Sequence, residues 1–305
     1  MARYMVRRLL QAIIVLLGAT MLAFGVMFVG GDPTALLVGP NWTTAQVDQF
    51  RHLMGFDKPW YVQYLHFLGG VVHGNFGTSL LQQQPVLHLV MQVLPNTAEL
   101  AGAAMLIALV LAVPGGVIAA SRRNSGIDAA TMIGALFGQS VPSFWLGLML
   151  LLVFSVGLGW FPVQGMGGLS HLVLPAVTLA TFPLALFARL TRSSVLEVMA
   201  LDYIKTARAK GLSHRVVLYK HALRNALIPV ITLIGLNAGA LLGGVIVIEQ
   251  VFGWPGLGLL ILNAVEQKDF PLVVGGVTVS AIIFVAINLI VDLMYGVLDP
   301  RIRYA

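Results

Sequence analysis

The sequence predicts an all-α integral membrane protein with six transmembrane helices and both termini cytoplasmic. Three observations predict it. Of 305 residues, 58% are hydrophobic and 10% charged, whereas an ordinary soluble domain carries about a quarter charged residues. Uncharged runs long enough to cross a bilayer recur along the chain. Lysine and arginine gather in alternate segments between those runs. A mean hydropathy of +0.90 points the same way. The chain has no cysteine, which excludes disulfides and thiolate metal sites. A pI near 9.8 would point to nucleic acid if the basic residues formed one face of a soluble domain. They lie between apolar runs instead, so the expected surroundings are a lipid bilayer, with no nucleic-acid partner.

A membrane helix needs about 20 apolar residues. After a short N-terminal segment, 1–8, there are 23 uncharged residues between Arg8 and Asp32, which give a first span at 9–31. That run is too long for a signal-peptide core, so a retained helix is expected. The region 32–98 is rich in Gln, His, Gly and Pro and reads as an external loop with short helices. The 22 residues between Glu99 and Arg122 give a second span at 99–121. The 60 between Asp128 and Arg189 hold a third at 129–156 and a fourth at 172–190. The glycines and proline of GLGWFPVQGMGGLSH punctuate the turn between them. A basic loop follows at 191–225. The 24 residues between Arg224 and Glu249 give a fifth span at 226–249. An external loop at 250–270 and the 22 uncharged residues before Asp292 lead to a sixth at 271–293 and a tail at 294–305.

Lysine and arginine favour the cytoplasmic side. With the N-terminus inside, 15 of the 18 basic residues fall on that side, and only Arg51, Lys58 and Lys268 lie outside.

Lipid gives helices no hydrophobic reason to associate, so close packing relies on small residues. Gly235, Gly239 and Gly243 recur every fourth residue, as do Gly134 and Gly138. These stripes suit packing within the chain, or a seam against a second membrane subunit. Pro114, Pro142, Pro175, Pro183 and Pro229 interrupt spans, each removing a helix donor. Gln139, Ser140, Thr178, Thr181 and Asn237 are the polar candidates for a translocation path, with bonding to a neighbouring helix as the alternative. Glu99, Glu249 and Asp292 lie near span ends, so no mid-membrane carboxylate supports a proton-coupled transporter. No nucleophile and base stand together, no phosphate-binding loop occurs, and the histidines His52, His66, His73 and His88 match no metal-ligand spacing. No catalytic residue, metal site or bound cofactor is expected. The structural alternative is a membrane subunit without transport chemistry.

Within LDYIKTARAKGLSHRVVLYKHALRNAL (201–227), six basic residues face one acid, Asp202. Ser194 and Glu197 fit a capping box for a helix running to Lys210. Gly211 is placed for a left-handed stop, and Ser213 to cap a second helix. The plainer reading is a loop that only sets topology or touches anionic headgroups.

T-A-R-A-K-G-L followed by H-A-L-R-N-A-L-I-P resembles the cytoplasmic loop of ABC importer permeases of the dipeptide, oligopeptide and nickel type. The resemblance extends over nearly the whole chain: Y-M-V-R-R-L-L and G-D-P near the start, G-F-D-K-P-W-Y-V-Q-Y-L (55–65), H-G-N-F-G-T-S (73–79), L-P-N-T-A-E-L (94–100), I-E-Q-V-F-G-W-P-G-L-G (248–258), K-D-F-P (268–271) and N-L-I-V-D-L-M-Y-G-V-L-D-P-R-I-R (288–303). Each is weak alone, but their order and spacing are specific. The broader importer pattern E-A-A-x3-G is altered, with Lys205 and Thr206 at its first two places and only Ala207 retained.

The resemblance implies a type I importer permease fold in the bacterial inner membrane, with a transmembrane domain at about 95–295. It implies a homologous second permease, two ABC ATPase subunits that bind the ATP and magnesium, and an extracytoplasmic substrate-binding protein. Asp202, Tyr203, Thr206, Ala207, Arg208, Ala209, Lys210, Gly211 and Leu212 would form the helix that couples to the ATPase. Trp254, in an external Trp-Pro-Gly turn, would anchor at the membrane interface or face the binding protein. The resemblance implies ATP-driven import of dipeptides or oligopeptides by alternating access, with nickel or a metal chelate as the alternative substrate.

Overall fold

The computed structural model describes residues 2–29, 34 and 42–298, and among these no strand forms. In chain order the helices are α1 (Ala2–Val29), α2 (Thr44–Met54), α3 (Trp60–Val72), α4 (Val86–Ser121), α5 (Gly126–Ser140), α6 (Ser143–Leu150), α7 (Leu169–Met199), α8 (Asp202–Ala209), α9 (His214–Val216), α10 (Leu223–Phe252), α11 (Leu257–Glu266) and α12 (Phe270–Leu298). Two π-helical turns, Leu151–Gly157 and Val217–Ala222, continue α6 and join α9 to α10. The all-α membrane fold expected from the sequence is therefore the one observed.

By length and composition, unbroken helices at Val6–Gly25, Val86–Ser121, Leu169–Met199, His214–Asn237 and Phe270–Val291 can cross a membrane. The third expected span differs: α5 and the α6 segment meet at a bend of 103°. Its cause is Pro142. The ring disfavours helical backbone at the residue before it, and Val141 is extended at φ −80°, ψ 126°. Charge gaps placed the second span at 99, but α4 starts at Val86. Its 36 residues make a helix about 54 Å long at 1.5 Å per residue, well beyond the roughly 30 Å of hydrocarbon.

The chain divides into two compact units. The first combines Met1–Pro95 with Gly256–Ile290. Its core holds Phe76, Val86, Leu89, Val90, Leu257, Leu272 and Val279. Helix α1 exposes most of its apolar side chains. It is held by Thr20, whose hydroxyl lies 2.9 Å from that of Tyr64, and by the ring of Phe24 against Tyr64 and Phe67. Thr43 and Gln46 form a reciprocal capping box at the start of α2, and Gly55 ends that helix in the left-handed region.

The second unit combines Asn96–Pro255 with Val291–Leu298. Its main core joins α4, α7 and α10. Leu100, Ala104, Ala108 and Ala112 are all fully buried, and Gly116 and Ala120 extend the stripe at the same four-residue interval. At Gly116 an added Cβ would stand 2.6 Å from the Ala188 carbonyl oxygen and 2.7 Å from Thr191 Cβ. This alanine and glycine stripe lets α4 lie close against α7, as helices in lipid require.

Candidate functional site

The basic loop folds into a docked amphipathic helix. The expected capping box at Ser194 does not form. Helix α7 runs unbroken to Met199, and Ser194 is buried inside it. The break comes at Ala200 and Leu201, and Leu201 takes the cap position of α8. Ten residues after Leu201 the chain turns at Gly211, whose φ of +77° is left-handed and suits glycine. Ser213 occupies the cap position of α9 without a side-chain cap bond. One face of α8 is buried: Ile204 and Ala207 pack with Val217 and Ala222. Asp202, Tyr203, Thr206, Arg208, Ala209, Lys210, Gly211 and Leu212 are exposed. Lys205 Nζ pairs with Asp202 Oδ1 at 2.8 Å, and Thr206 bonds the Asp202 carbonyl. Tyr203 Oη accepts from Asn225 Nδ2 at 2.8 Å and donates to the His221 carbonyl at 3.3 Å. The result is a short helix with an apolar underside and an exposed, net basic outer face.

Two further motif pairs, far apart in sequence, meet in space. In the second unit, L-P-N-T meets E-Q-V-F-G-W-P. Asn96 donates to the Pro255 carbonyl at 2.7 Å, the Trp254 indole donates to the Asn96 carbonyl at 2.9 Å, and Thr97 donates to Glu249 at 2.7 Å. Trp254 is 1% exposed, so it neither anchors at an interface nor faces a partner. It is a core residue whose N–H has found a backbone acceptor on half-buried Asn96. In the first unit, H-G-N-F-G-T-S meets K-D-F-P. The buried Asp269 carboxylate accepts from the Ser79 hydroxyl and from the backbone N–H of Leu80, Leu81 and Leu272.

The polar residues proposed for a path bond their own helices. Ser140, Thr178, Thr181 and Asn237 each donate to the carbonyl four residues earlier. Thr178 is buried, Thr181, Gln139 and Asn237 are half-buried, and Ser140 is exposed. Gly138 lies against α7, where an added Cβ would meet Thr181 Cγ2 at 3.0 Å, whereas Gly134 has nothing within 4 Å. Gly235 and Gly239 are buried in α10. The surroundings of Gly243 and Asp292 lie outside the described residues, as do the G-D-P at 31–33 and the tail from 299. Among the described residues no three His, Cys, Asp or Glu side chains come together as metal ligands.

Residues 1–101 match the family described as the N-terminal part of the binding-protein-dependent transport system membrane component, and residues 112–304 match the binding-protein-dependent transport system inner membrane component. The chain belongs to this family. It is a permease component of the ABC importer type, a multi-helix protein of the inner membrane. The whole chain aligns, 44% identical, with the whole of an oligopeptide transport system permease protein, AppB, of Bacillus subtilis (strain 168). It is 40% identical to a di/tripeptide transport system permease protein of Pseudomonas aeruginosa (strain UCBPP-PA14), covering 100% of this chain and 99% of that one. It is 41% identical to the glutathione transport system permease protein GsiC of Escherichia coli (strain K12), with both chains fully covered. The fold resembles that of the inward-facing MetNI methionine ABC transporter, with a TM-score of 0.58 at 20% identity over 70% of this chain and 97% of that one.

In this permease component the sequence reading missed one ion pair. Arg192 on α7 holds Asp128 on α5 through two parallel bonds, Nε to Oδ1 at 2.5 Å and Nη2 to Oδ2 at 2.7 Å. Asp128 also accepts from the Asn124 N–H. In the sequence Asp128 marks only where a charge-free run begins, and Arg192 is only one of the basic residues counted on the inner side. No spacing joins the two; the packing of α5 on α7 does.

Proposed function

We propose that this chain is one half of a permease dimer in an ATP-driven importer of dipeptides or oligopeptides, with both termini cytoplasmic. A homologous permease completes the pore, two ATPase subunits lie inside, and a substrate-binding protein delivers peptide outside. The observation that carries this reading is α8. It is a short amphipathic helix, seated on Val217 and Ala222 and cornered by Gly211, with its polar face free to receive a partner. ATP binding draws the ATPases together, displaces the two α8 helices, and opens the path outward. Hydrolysis and release reset it. The ATP and magnesium belong to the partner subunits, and this chain performs no hydrolysis. The positive-inside distribution of lysine and arginine supports the orientation, and the transport names of the full-length relatives support the peptide class.

The test is ATP hydrolysis by the reconstituted complex in lipid, with binding protein presenting a dipeptide, nickel or a nickel chelate. Stimulation by the dipeptide alone is expected. Stimulation by nickel or its chelate alone would replace the substrate class. An intact complex that no binding protein stimulates would overturn the importer reading.

A further inference from the structure

The docking of α8 has two chemically distinct parts. Ile204 and Ala207 form an apolar peg, fully buried or nearly so, against Val217 and Ala222. Apolar contact is non-directional, so a peg alone lets α8 rotate and slide. The second part is polar and directional. Asn225, in the first turn of α10, donates to Tyr203 Oη at 2.8 Å, and Tyr203 donates to the His221 carbonyl at 3.3 Å. Asn225 Nδ2 also lies 3.4 Å from that same carbonyl. The three groups close a small triangle across the joint between α8 and α10. His221 belongs to the π-helical turn Val217–Ala222, a geometry found mostly as isolated turns and often at functional sites. The other side-chain bonds within α8, Lys205 with Asp202 and Thr206 with the Asp202 carbonyl, are exposed and local; they reach no second helix, and the ion pair fixes little.

We propose that Tyr203 and Asn225 are positioning residues for transport, a brace that makes α10 follow α8 when the ATPase moves it. The proposal rests on the reading of α8 as the ATPase-facing helix. Asn237 and the buried Gly235 and Gly239 lie farther along α10, so a movement imposed on α8 through the brace reaches the helix that carries them. The brace acts through hydrogen bonds alone. Tyr203 is 41% exposed, and its ring contributes little to the buried peg.

The experiment uses the purified full complex in proteoliposomes, with wild type, Tyr203→Phe, Asn225→Ala and the double variant. The readout is dipeptide imported per ATP hydrolysed by intact complex, a ratio that loss of assembled material does not change. Each single variant should lower the ratio about five-fold, the factor expected when one net hydrogen bond is lost from an equilibrium. The double variant should fall no further than Tyr203→Phe, because loss of the hydroxyl already removes both bonds that tie α8 to the π-helical turn and to α10. An unchanged ratio in either single variant overturns the proposal, and so do losses that multiply in the double. Should Asn225→Ala fail to assemble, Tyr203→Phe decides, since it keeps the ring and removes only the hydroxyl. Wild-type complex that imports no dipeptide would instead overturn the importer reading, and the brace with it.

Discussion

Replacing Gly116 by alanine isolates the packing of α4 on α7. The new Cβ would lie 2.7 Å from Thr191 Cβ and 2.6 Å from the Ala188 carbonyl oxygen. Carbon pairs rest at about 3.5 Å or more, so the two helices must part by roughly 0.8 Å or the backbone must bend. Overpacking of this kind costs about 1–3 kcal/mol. Alanine also gains about 1 kcal/mol of helix propensity over glycine, which masks part of the loss. Gly134→Ala supplies the reference. It sits inside α5 with nothing within 4 Å of the new methyl, so it takes the same propensity gain without the clash. The two variants should therefore differ by about 1–3 kcal/mol, with Gly134→Ala the more stable. Reversible unfolding in mixed micelles, followed by helical circular dichroism, measures the difference. Equal midpoints would show that α4 and α7 are not in the close contact described.

Trp254→Phe keeps an aromatic ring in the core but removes the indole donor to the half-buried Asn96 carbonyl, and should cost about 0.5–1.5 kcal/mol in the same assay; an unchanged midpoint would remove that hydrogen bond from the account. Asp128→Asn and Arg192→Met should each lower the midpoint, while the double variant loses less than the two together, because a bidentate pair is broken once; simple additivity would mean that the two side chains act independently. The hydrogen bond from His52 holds the Asp57 carboxyl below its ordinary 3.8. The stability this bond contributes is complete above 3.8 and is lost as pH falls through the lowered value. Carboxyl NMR of labelled aspartate should show the Asp57 titration rising toward 3.8 in His52→Ala, and an unmoved titration would refute the assignment.

Much of the fold was legible because bilayers impose a crude rule. Long apolar charge-free runs had to be helices, and the runs bounded by Arg8, Arg122 and Arg224 located three of them. The same rule is blind to direction. It could not see that Pro142 turns the third run through 103°, nor that α4 continues as helix well outside any span. The capping box at Ser194 failed for a related reason. Serine followed three residues later by glutamate is a local preference, and here Thr191, Ser194 and Val195 continue a buried face that tertiary packing preserves as helix. Gly211 was legible because a left-handed turn is decided by one residue. The docking of α8 was only half legible. Its exposed charges can be counted in the sequence, but Ile204 and Asn225 gain meaning only when the chain returns on itself. The motif pairs behave alike: L-P-N-T and E-Q-V-F-G-W-P stand some 150 residues apart, and no periodicity links them. The glycine stripes drew attention because glycine is conspicuous, yet the buried stripe of α4 is mostly alanine.

The two π-helical turns constrain how this chain can change over generations. Each holds one residue more per turn than an α-helix would. Inserting one more residue into Val217–Ala222, where the extra residue that such a turn absorbs is already in place, would rotate everything before it by about 100° relative to α10. Ile204 would then leave its seat and Tyr203 would point away from Asn225. Substitutions at the exposed Tyr219 or Lys220 disturb none of this. The turn is thus tolerant of spelling but not of added length. Natural variants should accumulate replacements there while insertions are confined to segments such as 158–168, where no helix transmits the error.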